Sequence, residues 1–229
     1  MIVQFISEQK NVYPYMDSLF LNAFGNAFCK DKTGKFLSAN ENELNLLGFT
    51  DLDELIGKDD RELPYHEHAN IYIQNDQAVM HNGRGLVLLE PVQNEHKVEQ
   101  YLCYKAPLLS VHGKTIGIFG LGYSLKDLIS MNNVSQERIF HEILLLAGPT
   151  VEALFKETIV NAKQVQLGLS KRQFQCLKLL AKGMTYKQIA LFLSISTRTV
   201  EHYIEAIKIK WSCDCRHTLV EKFIDGLNE

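Results

Sequence analysis

Residues 185–210 read TYKQIALFLSISTRTVEHYIEAIKIK, and this stretch decides how the C-terminal part of the chain folds. Thr185 stands three residues before Gln188, which is the spacing of a capping box at a helix N-terminus. The apolar spacing that follows predicts a helix of about two turns, which ends at a polar break. Ser196 closes this break and is placed to cap a second helix. The inward-facing apolar residues of that second helix are Val200, Ile204 and Ile207.

A third helical pattern precedes this pair. Ser170 and Gln173 repeat the capping-box spacing, and Gly183 supplies a left-handed stop. The pattern therefore predicts a helix over residues 170–182 that packs on the two that follow. The apolar residues on its inner face are Phe174, Leu177, Leu180 and Ala181.

The outward face of the last of these helices is polar and of mixed charge. The major groove of DNA admits one α-helix and presents hydrogen-bond donors and acceptors on its base edges. A three-helix unit with such a face therefore fits a helix-turn-helix whose last helix enters DNA. The outward residues are Thr197, Arg198, Glu201, His202, Glu205 and Lys208.

Six groups of residues in this segment keep a characteristic order and spacing, and together they resemble the LuxR-type (NarL/FixJ-like) DNA-binding domain. Three departures from that pattern are visible, and none removes an apolar core position: Gln173 for a usual Glu, Tyr203 for a common His, and Trp211-Ser212 for Leu-Gly. The groups that carry the resemblance are Leu169 to Gln173, Leu177 to Gly183, Ile189-Ala190, Leu193 to Ser196, Thr199 to Glu201, and Ile207 to Lys210.

The resemblance implies a set of DNA contacts. Glu201 and His202 fall where relatives reach base edges, and Glu205 lies one turn further on. A Glu accepts from the cytosine amino group and a His meets purine nitrogens. Because two acids repel phosphate, Glu201 and Glu205 are either determinants of specificity or solvated. The other residues predicted to bind DNA, chiefly through phosphate, are Lys187, Ser196, Thr197, Arg198, Thr199, Lys208 and Lys210.

Charge is distributed unevenly along the 229 residues, although the net charge is only −3. Residues 169–210 carry eight Lys and Arg against two Glu, whereas residues 1–168 carry 14 basic and 21 acidic side chains. The length predicts two domains. A small basic module on an acidic body fits a protein in which only one end touches phosphate.

The N-terminal part has the pattern of an α+β domain. A helix is predicted over residues 1–24, and a hairpin turns at residues 31–34, where Gly34 fits a position that needs positive φ. Short helical stretches follow, then a longer helix over 66–81. Three strands are predicted at residues 86–92, 98–109 and 114–123. Because strands and helices do not alternate, this order predicts an antiparallel sheet covered by helices on one face.

The spacing of several short motifs in this part resembles a PAS domain, which implies a sensor role without naming the signal. The glycine-rich strand 116–122 permits close approach of a ligand or of a packed helix. The sequence therefore leaves open a bound small molecule of unknown identity or a ligand-free dimerisation or relay domain, and assigns no cofactor. Histidines 66, 68 and 81 are expected at the surface. The motifs are Asp31, Gly34, Asn40, residues 46–49, 55–58 and 105–108, and residues 113–118.

The predicted domains are an N-terminal helix (1–24), a PAS-like sensor (25–124), a helical connector (125–165) and a LuxR-type helix-turn-helix domain (166–229). Thr150 is placed to cap the second connector helix. The apolar stripes of the connector must be buried, either against a second subunit or the N-terminal helix, or within the same chain.

The sequence has no apolar run of membrane-spanning length, no signal-peptide pattern, and no phosphate loop, nucleophile elbow or two-histidine metal helix. We therefore expect a cytoplasmic, non-enzymatic transcriptional regulator that binds double-stranded DNA as a homodimer. The alternative is a protein–protein relay module whose last domain docks on a partner through its third helix rather than on DNA.

Overall fold

A computed structural model describes residues 23–94, 97–110, 112–131 and 133–228. These residues form two compact units. The first contains the described residues up to Leu128 together with Asn133–Lys156, and the second contains a short segment from Ile129 and the chain from Glu157 onward. The helix predicted over residues 1–24 lies, through residue 22, outside the described residues.

The first unit is built on a five-stranded sheet in the order β2-β1-β5-β4-β3, in which all neighbouring strands are antiparallel. The predicted hairpin is present, and Gly34 adopts a φ of 85° at its turn. The α+β prediction is therefore confirmed. The strands are β1 (Asn26–Asp31), β2 (Phe36–Ala39), β3 (Leu86–Gln93), β4 (Val98–Leu109) and β5 (Thr115–Ser124).

Helices between β2 and β3 pack on this sheet. They are α1 (Glu41–Leu47), α2 (Leu52–Leu55), a 3-10 turn (Asp60–Glu62) and α3 (Ala69–Asn82). α1 contacts β1, and α3 contacts β3, β4 and β5. The longer helix starts at Ala69 rather than at the predicted residue 66, since His68, which precedes it, has a non-helical backbone with φ −99° and ψ 7°. The ring of His66 lies 2.9 Å from the carbonyl of Leu63.

Two glycines of β5 are required by close approach of its neighbour β1. A Cβ on Gly117 would lie 1.9 Å from the carbonyl oxygen of Lys30, and one on Gly120 would lie 2.2 Å from the ring of Phe28. The role of these glycines is to let a strand and an aromatic ring lie close to β5.

The helices that follow the sheet are α4 (Leu125–Ser130), α5 (Asn133–Ala147) and α6 (Pro149–Gln166). Gly148 separates the last two with a φ of 88°. α6 starts at Pro149 rather than after a Thr150 cap. Proline suits the first position of a helix because its φ is fixed near the helical value. Its missing backbone N–H costs nothing there, since an N–H in the first turn has no partner within the helix.

Part of the apolar connector is buried within its own chain. Phe155 of α6 is fully buried and meets Tyr123 of β5 edge to face, with ring centroids 6.0 Å apart. Ile143 of α5 is fully buried as well, whereas Leu154, which the sequence placed on the inner face, is 44% exposed. Leu154 precedes Phe155 in the sequence, so its side chain points in a different direction around the axis of α6. The buried face of α6 is therefore narrower than the sequence pattern indicated.

The second unit contains four further helices: α7 (Lys171–Ala181), α8 (Tyr186–Leu193), α9 (Thr197–Trp211) and α10 (Arg216–Asn228). Ser170 and Thr185 cap α7 and α8 with complete capping boxes, as predicted. The core that joins these helices includes Phe174, Leu177, Leu180, Ile189, Val200, Ile204, Ile207, Leu219 and Phe223. Among the described residues, no helix combines the length and apolar character that crossing a membrane requires.

Asn40 connects α1 to β1. Its buried side-chain oxygen accepts from the backbone N–H groups of Ala27 and Glu43, both at 3.0 Å, and its amide donates to the Gly25 carbonyl at 2.8 Å. We expect Asn40→Ala to lower the free energy of unfolding by about 2–3 kcal/mol, because it removes a helix cap and leaves buried polar groups unpaired. Urea unfolding measures this loss. Asn45→Ala, on the exposed face of α1, is the control, and equal losses for the two variants would contradict the assignment.

Candidate nucleic-acid interface and sensor cavity

A tight turn sets the path of the chain from α8 into α9. Ser194 ends α8 in the left-handed conformation, with a φ of 55°. Ser196 then caps α9, and its hydroxyl accepts from the backbone N–H of Thr199 at 3.0 Å. The cap at Ser196 was predicted from the sequence, whereas the left-handed end of α8 at Ser194 was not.

One face of α9 is fully buried. Val200, Ile204 and Ile207 have no exposed surface, and α9 packs against both α7 and α8. With one face held in this way, the opposite face of the helix must point outward. Arg198, Glu201, His202 and Glu205 are exposed there.

The predicted DNA-binding residues differ in how they are placed. Ser196, Lys187 and Lys210 are exposed, whereas Thr197, Thr199 and Lys208 are partly buried. The set extends over the full length of α9 and includes one residue of α8.

Two of the lysines are engaged by the protein itself. The Lys208 ammonium donates to Glu205 at 3.0 Å, which offsets one of the two acidic charges on the outward face. The Lys210 ammonium donates to the carbonyl of Gly168, in the segment that leads into α7. Lys210 therefore fastens the end of α9 to the start of the domain.

The first unit contains a cavity of about 50 Å³ between the inner face of its sheet and its helices. One water needs only about 10–15 Å³ by the same measure, so the space suffices for a small ligand group. Its walls include Phe28, Lys30, Glu43, Tyr101, Cys103 and Lys105. None of the histidines at 66, 68 and 81 lines it.

A buried network of charges forms part of the cavity wall. The Lys30 ammonium lies 2.6 and 2.7 Å from the two carboxylate oxygens of Asp60 and 2.9 Å from Asp76. Asp76 also accepts from Lys105 at 2.8 Å, and Lys105 reaches Glu90 at 2.8 Å. Because Asp76 bridges both lysines, the four ion pairs form a single unit that links β1, β3 and β4 to α3 and to the 3-10 turn.

Burial and neighbouring charges shift the titration of this network in different directions. Burial raises the pKa of Asp60 against the opposing effect of Lys30. Burial opposes the charge on Lys105, but Asp76 and Glu90 outweigh it and hold the Lys105 pKa above its usual value. Beside the network, burial raises the pKa of Glu43 to about 7, although Lys30 acts to lower it.

This network was not predicted from the sequence, although a signal for it was present. Inward positions alternate along a strand. Lys30 stands two residues after the inward Phe28 in β1, and Lys105 two residues after the inward Cys103 in β4. A charged residue in register with inward apolar residues therefore marked each strand, but the partners on α3 and in the 3-10 turn could not be assigned without the fold.

Comparisons with known proteins agree with both halves of the structure. Residues 167–222 match the luxR family of bacterial regulatory proteins, and residues 24–128 match the PAS fold. The chain thus joins a domain that matches the PAS fold to a domain that matches the LuxR-type helix-turn-helix. Proteins with these two domains form a class of two-domain regulators. The match of residues 167–222 to the luxR family model agrees with the resemblance predicted from the sequence. No curated protein sequence matches the chain.

Solved structures are similar to this chain at low sequence identity. A complex of Vibrio cholerae VqmA with ligand and DNA is 22% identical, with 96% of this chain and 90% of that chain covered and a TM-score of 0.53. A Vibrio cholerae VqmA dimer without target DNA is 21% identical, with 93% and 88% covered and a TM-score of 0.47. The complex of phage VqmA with DPO is 23% identical, with 94% and 89% covered and a TM-score of 0.48.

The pKa of Glu43 gives a pH dependence that can be measured. In the unfolded chain Glu43 titrates near its ordinary value of 4.5, and in the folded protein near 7. The contribution of the neutral Glu43 carboxyl to the free energy of unfolding is therefore fully present below pH 4.5, and it is lost as pH rises through 7. Glu43→Gln removes this loss, so we expect its advantage over the unaltered protein to grow by up to about 3 kcal/mol from pH 5 to pH 8. Urea unfolding at the two pH values tests this, and parallel pH profiles would refute the assignment.

Proposed function

We propose that this protein is a signal-responsive transcriptional regulator in which the PAS-fold domain controls DNA binding by the LuxR-type helix-turn-helix. The observation that carries the proposal is the geometry of α9, whose inner face is fully buried while Arg198, Glu201 and His202 are presented outward. A helix held in this way can enter the major groove without moving relative to its own domain. The family match of residues 167–222 supports the same conclusion.

The proposed contacts fall into two groups. Glu201 and His202 would read base edges near the N-terminal half of α9, and Glu205 would extend this readout by one turn. Residues around them would bind phosphate and fix the register of the helix. The phosphate group comprises Lys187, Ser196, Thr197, Arg198, Thr199, Lys208 and Lys210.

A homodimer is part of the proposal. Helix-turn-helix proteins of this kind bind two half-sites about one DNA turn apart, which requires two recognition helices. Ile224 on the outer face of α10 is 45% exposed and offers an apolar position for a second copy. The Vibrio cholerae VqmA complex contains both ligand and DNA, which supports a small-molecule signal for this chain as well.

A physical route leads from the cavity to the connector within the first unit. Gly122 of β5 lines the cavity, and the next residue, Tyr123, donates a hydrogen bond to Glu142 of α5. Phe155 of α6 packs on the same tyrosine ring. A change in β5 would therefore alter the seating of both connector helices, and we propose that this sets the spacing of the two recognition helices.

We propose that the protein regulates transcription by binding DNA, without a catalytic step. It would act in the cytoplasm, where the DNA is accessible. The alternative, a relay module that docks on a protein through α9, gains no support from the family match. The two functions differ in their dependence on salt. A DNA-binding domain releases counterions from the duplex, whereas a protein-docking module binds duplex weakly at every salt concentration.

The double variant Arg198→Ala/Lys208→Ala tests the DNA-facing surface. Because each lost phosphate contact reduces counterion release, we expect weaker binding to nonspecific duplex and a salt slope that is smaller by about 2 per subunit. Fluorescence anisotropy over a series of salt concentrations gives both values.

The matched control is Lys32→Ala/Lys114→Ala, which removes two exposed positive charges from the PAS-fold domain. Its slope should equal that of the unaltered protein. Equal slopes for all three proteins, with folding verified by circular dichroism, would overturn the assignment of α9 as the DNA-facing helix.

A further inference from the structure

We propose that the cavity of the PAS-fold domain binds a small basic compound, an amine, an amidine or a protonated nitrogen heterocycle, whose N–H groups meet the carboxylate of Glu43. The inference rests on the sensor role proposed above and adds to it the chemical class of the signal. It depends on three features of the cavity wall: its charge balance, the saturation of Lys30 and the isolation of Glu43.

The first feature is the balance of charge. Lys30 and Lys105 supply two positive charges, and they are paired with three carboxylates, those of Asp60, Asp76 and Glu90. This network is already negative before Glu43 is counted. A positive ligand would offset that excess, and an anionic ligand would add to it.

The second feature is that Lys30 has no N–H donor left for a ligand. Lys30 makes three short contacts to carboxylate oxygens, and an ammonium group has three N–H donors. Its ammonium also lies 5.1 and 4.7 Å from the ring centres of Phe28 and Phe36, so rings occupy space around it. An anion that bound Lys30 would have to displace an existing carboxylate, and at Lys105 it would meet the carboxylates of Asp76 and Glu90 that already pair with that lysine.

The third feature is Glu43 itself. It is only 6% exposed, it lines the cavity, and its carboxylate has no hydrogen-bond partner among the described residues. Its backbone is fixed, because its N–H donates to the Asn40 side chain that caps α1. A buried carboxylate without a partner is costly, and a ligand that donates N–H groups would remove that cost.

The size and walls of the cavity limit the ligand group further. A volume of about 50 Å³ admits a group of a few heavy atoms, such as an amidine or a small ring nitrogen. Tyr101, which is 8% exposed, also lines the cavity, so its ring is available to a cation beside Glu43.

Three probes of the same shape isolate the effect of charge: acetamidine, acetamide and acetate. They are cationic, neutral and anionic respectively at pH 7.5. Each is titrated into the full-length protein, and chemical shifts of methyl groups beside the cavity, such as those of Leu46 and Leu63, report binding. Such small probes bind weakly, so the titrations extend through the millimolar range.

We expect acetamidine to bind at least tenfold more tightly than acetamide or acetate. Glu43→Gln, which keeps the size of the side chain and removes its charge, should reduce acetamidine binding about tenfold and abolish the preference. Glu41→Gln is the matched control, since Glu41 lies in the same turn of α1 but is exposed, and it should leave all three affinities unchanged.

Acetate that binds as tightly as acetamidine would overturn the proposal, and this comparison needs no variant. Failure of acetamidine to perturb the cavity signals, or equal binding to the Glu43→Gln protein, would overturn it as well. Duplex binding by the same samples is measured in parallel. If the cationic preference is absent while DNA binding is intact, the ligand class fails and the regulatory function stands; loss of duplex binding by the unaltered protein would reject the function itself.

Discussion

The burial of one face of α9 is the constraint on which the rest of the structure depends. Three β-branched side chains, Val200, Ile204 and Ile207, are completely withdrawn from solvent against α7 and α8. Burying such a side chain contributes about 1.5–3 kcal/mol relative to exposing it, so rotating α9 to present another face would forfeit several kcal/mol. The opposite face therefore points outward whether or not DNA is present, and the direction of the recognition surface is a property of the domain core.

The PAS-fold domain follows a different principle, because part of its interior is held by charge. Buried ion pairs do not usually stabilise more than apolar residues of the same volume, since desolvation offsets much of their attraction. The network of Lys30, Asp60, Asp76, Lys105 and Glu90 is nevertheless joined by short hydrogen bonds, and it leaves Glu43 as an isolated carboxylate beside the cavity. A polar interior of this kind fits the proposed ligand-binding site. The hydrogen bond from Tyr123 to Glu142 connects strand β5, beside the cavity, to connector helix α5.

Local signals in the sequence predicted the elements well. The capping boxes at Ser170 and Thr185 and the left-handed glycine at Gly34 each act over a few residues, so the fold of the C-terminal domain and the hairpin could be obtained without a structure. The charge network could not, because its members come from five separate elements and meet only after the sheet has formed. The packing of Phe155 on Tyr123 was missed for the same reason: a helical stripe predicts that a face is buried, but it does not say what covers that face.

Selection of duplexes from a random pool tests the central claim, that the outward face of α9 reads DNA bases, most directly. The full-length protein should enrich a defined sequence motif, and Glu201→Ala should change the preferred bases at particular positions of it, because a lost side-chain acceptor relaxes the choice of base. Glu221→Ala, which alters an exposed acid on α10, should enrich the original motif. Enrichment of one and the same motif by the Glu201 variant and the unaltered protein, or of no motif by either, would contradict the account.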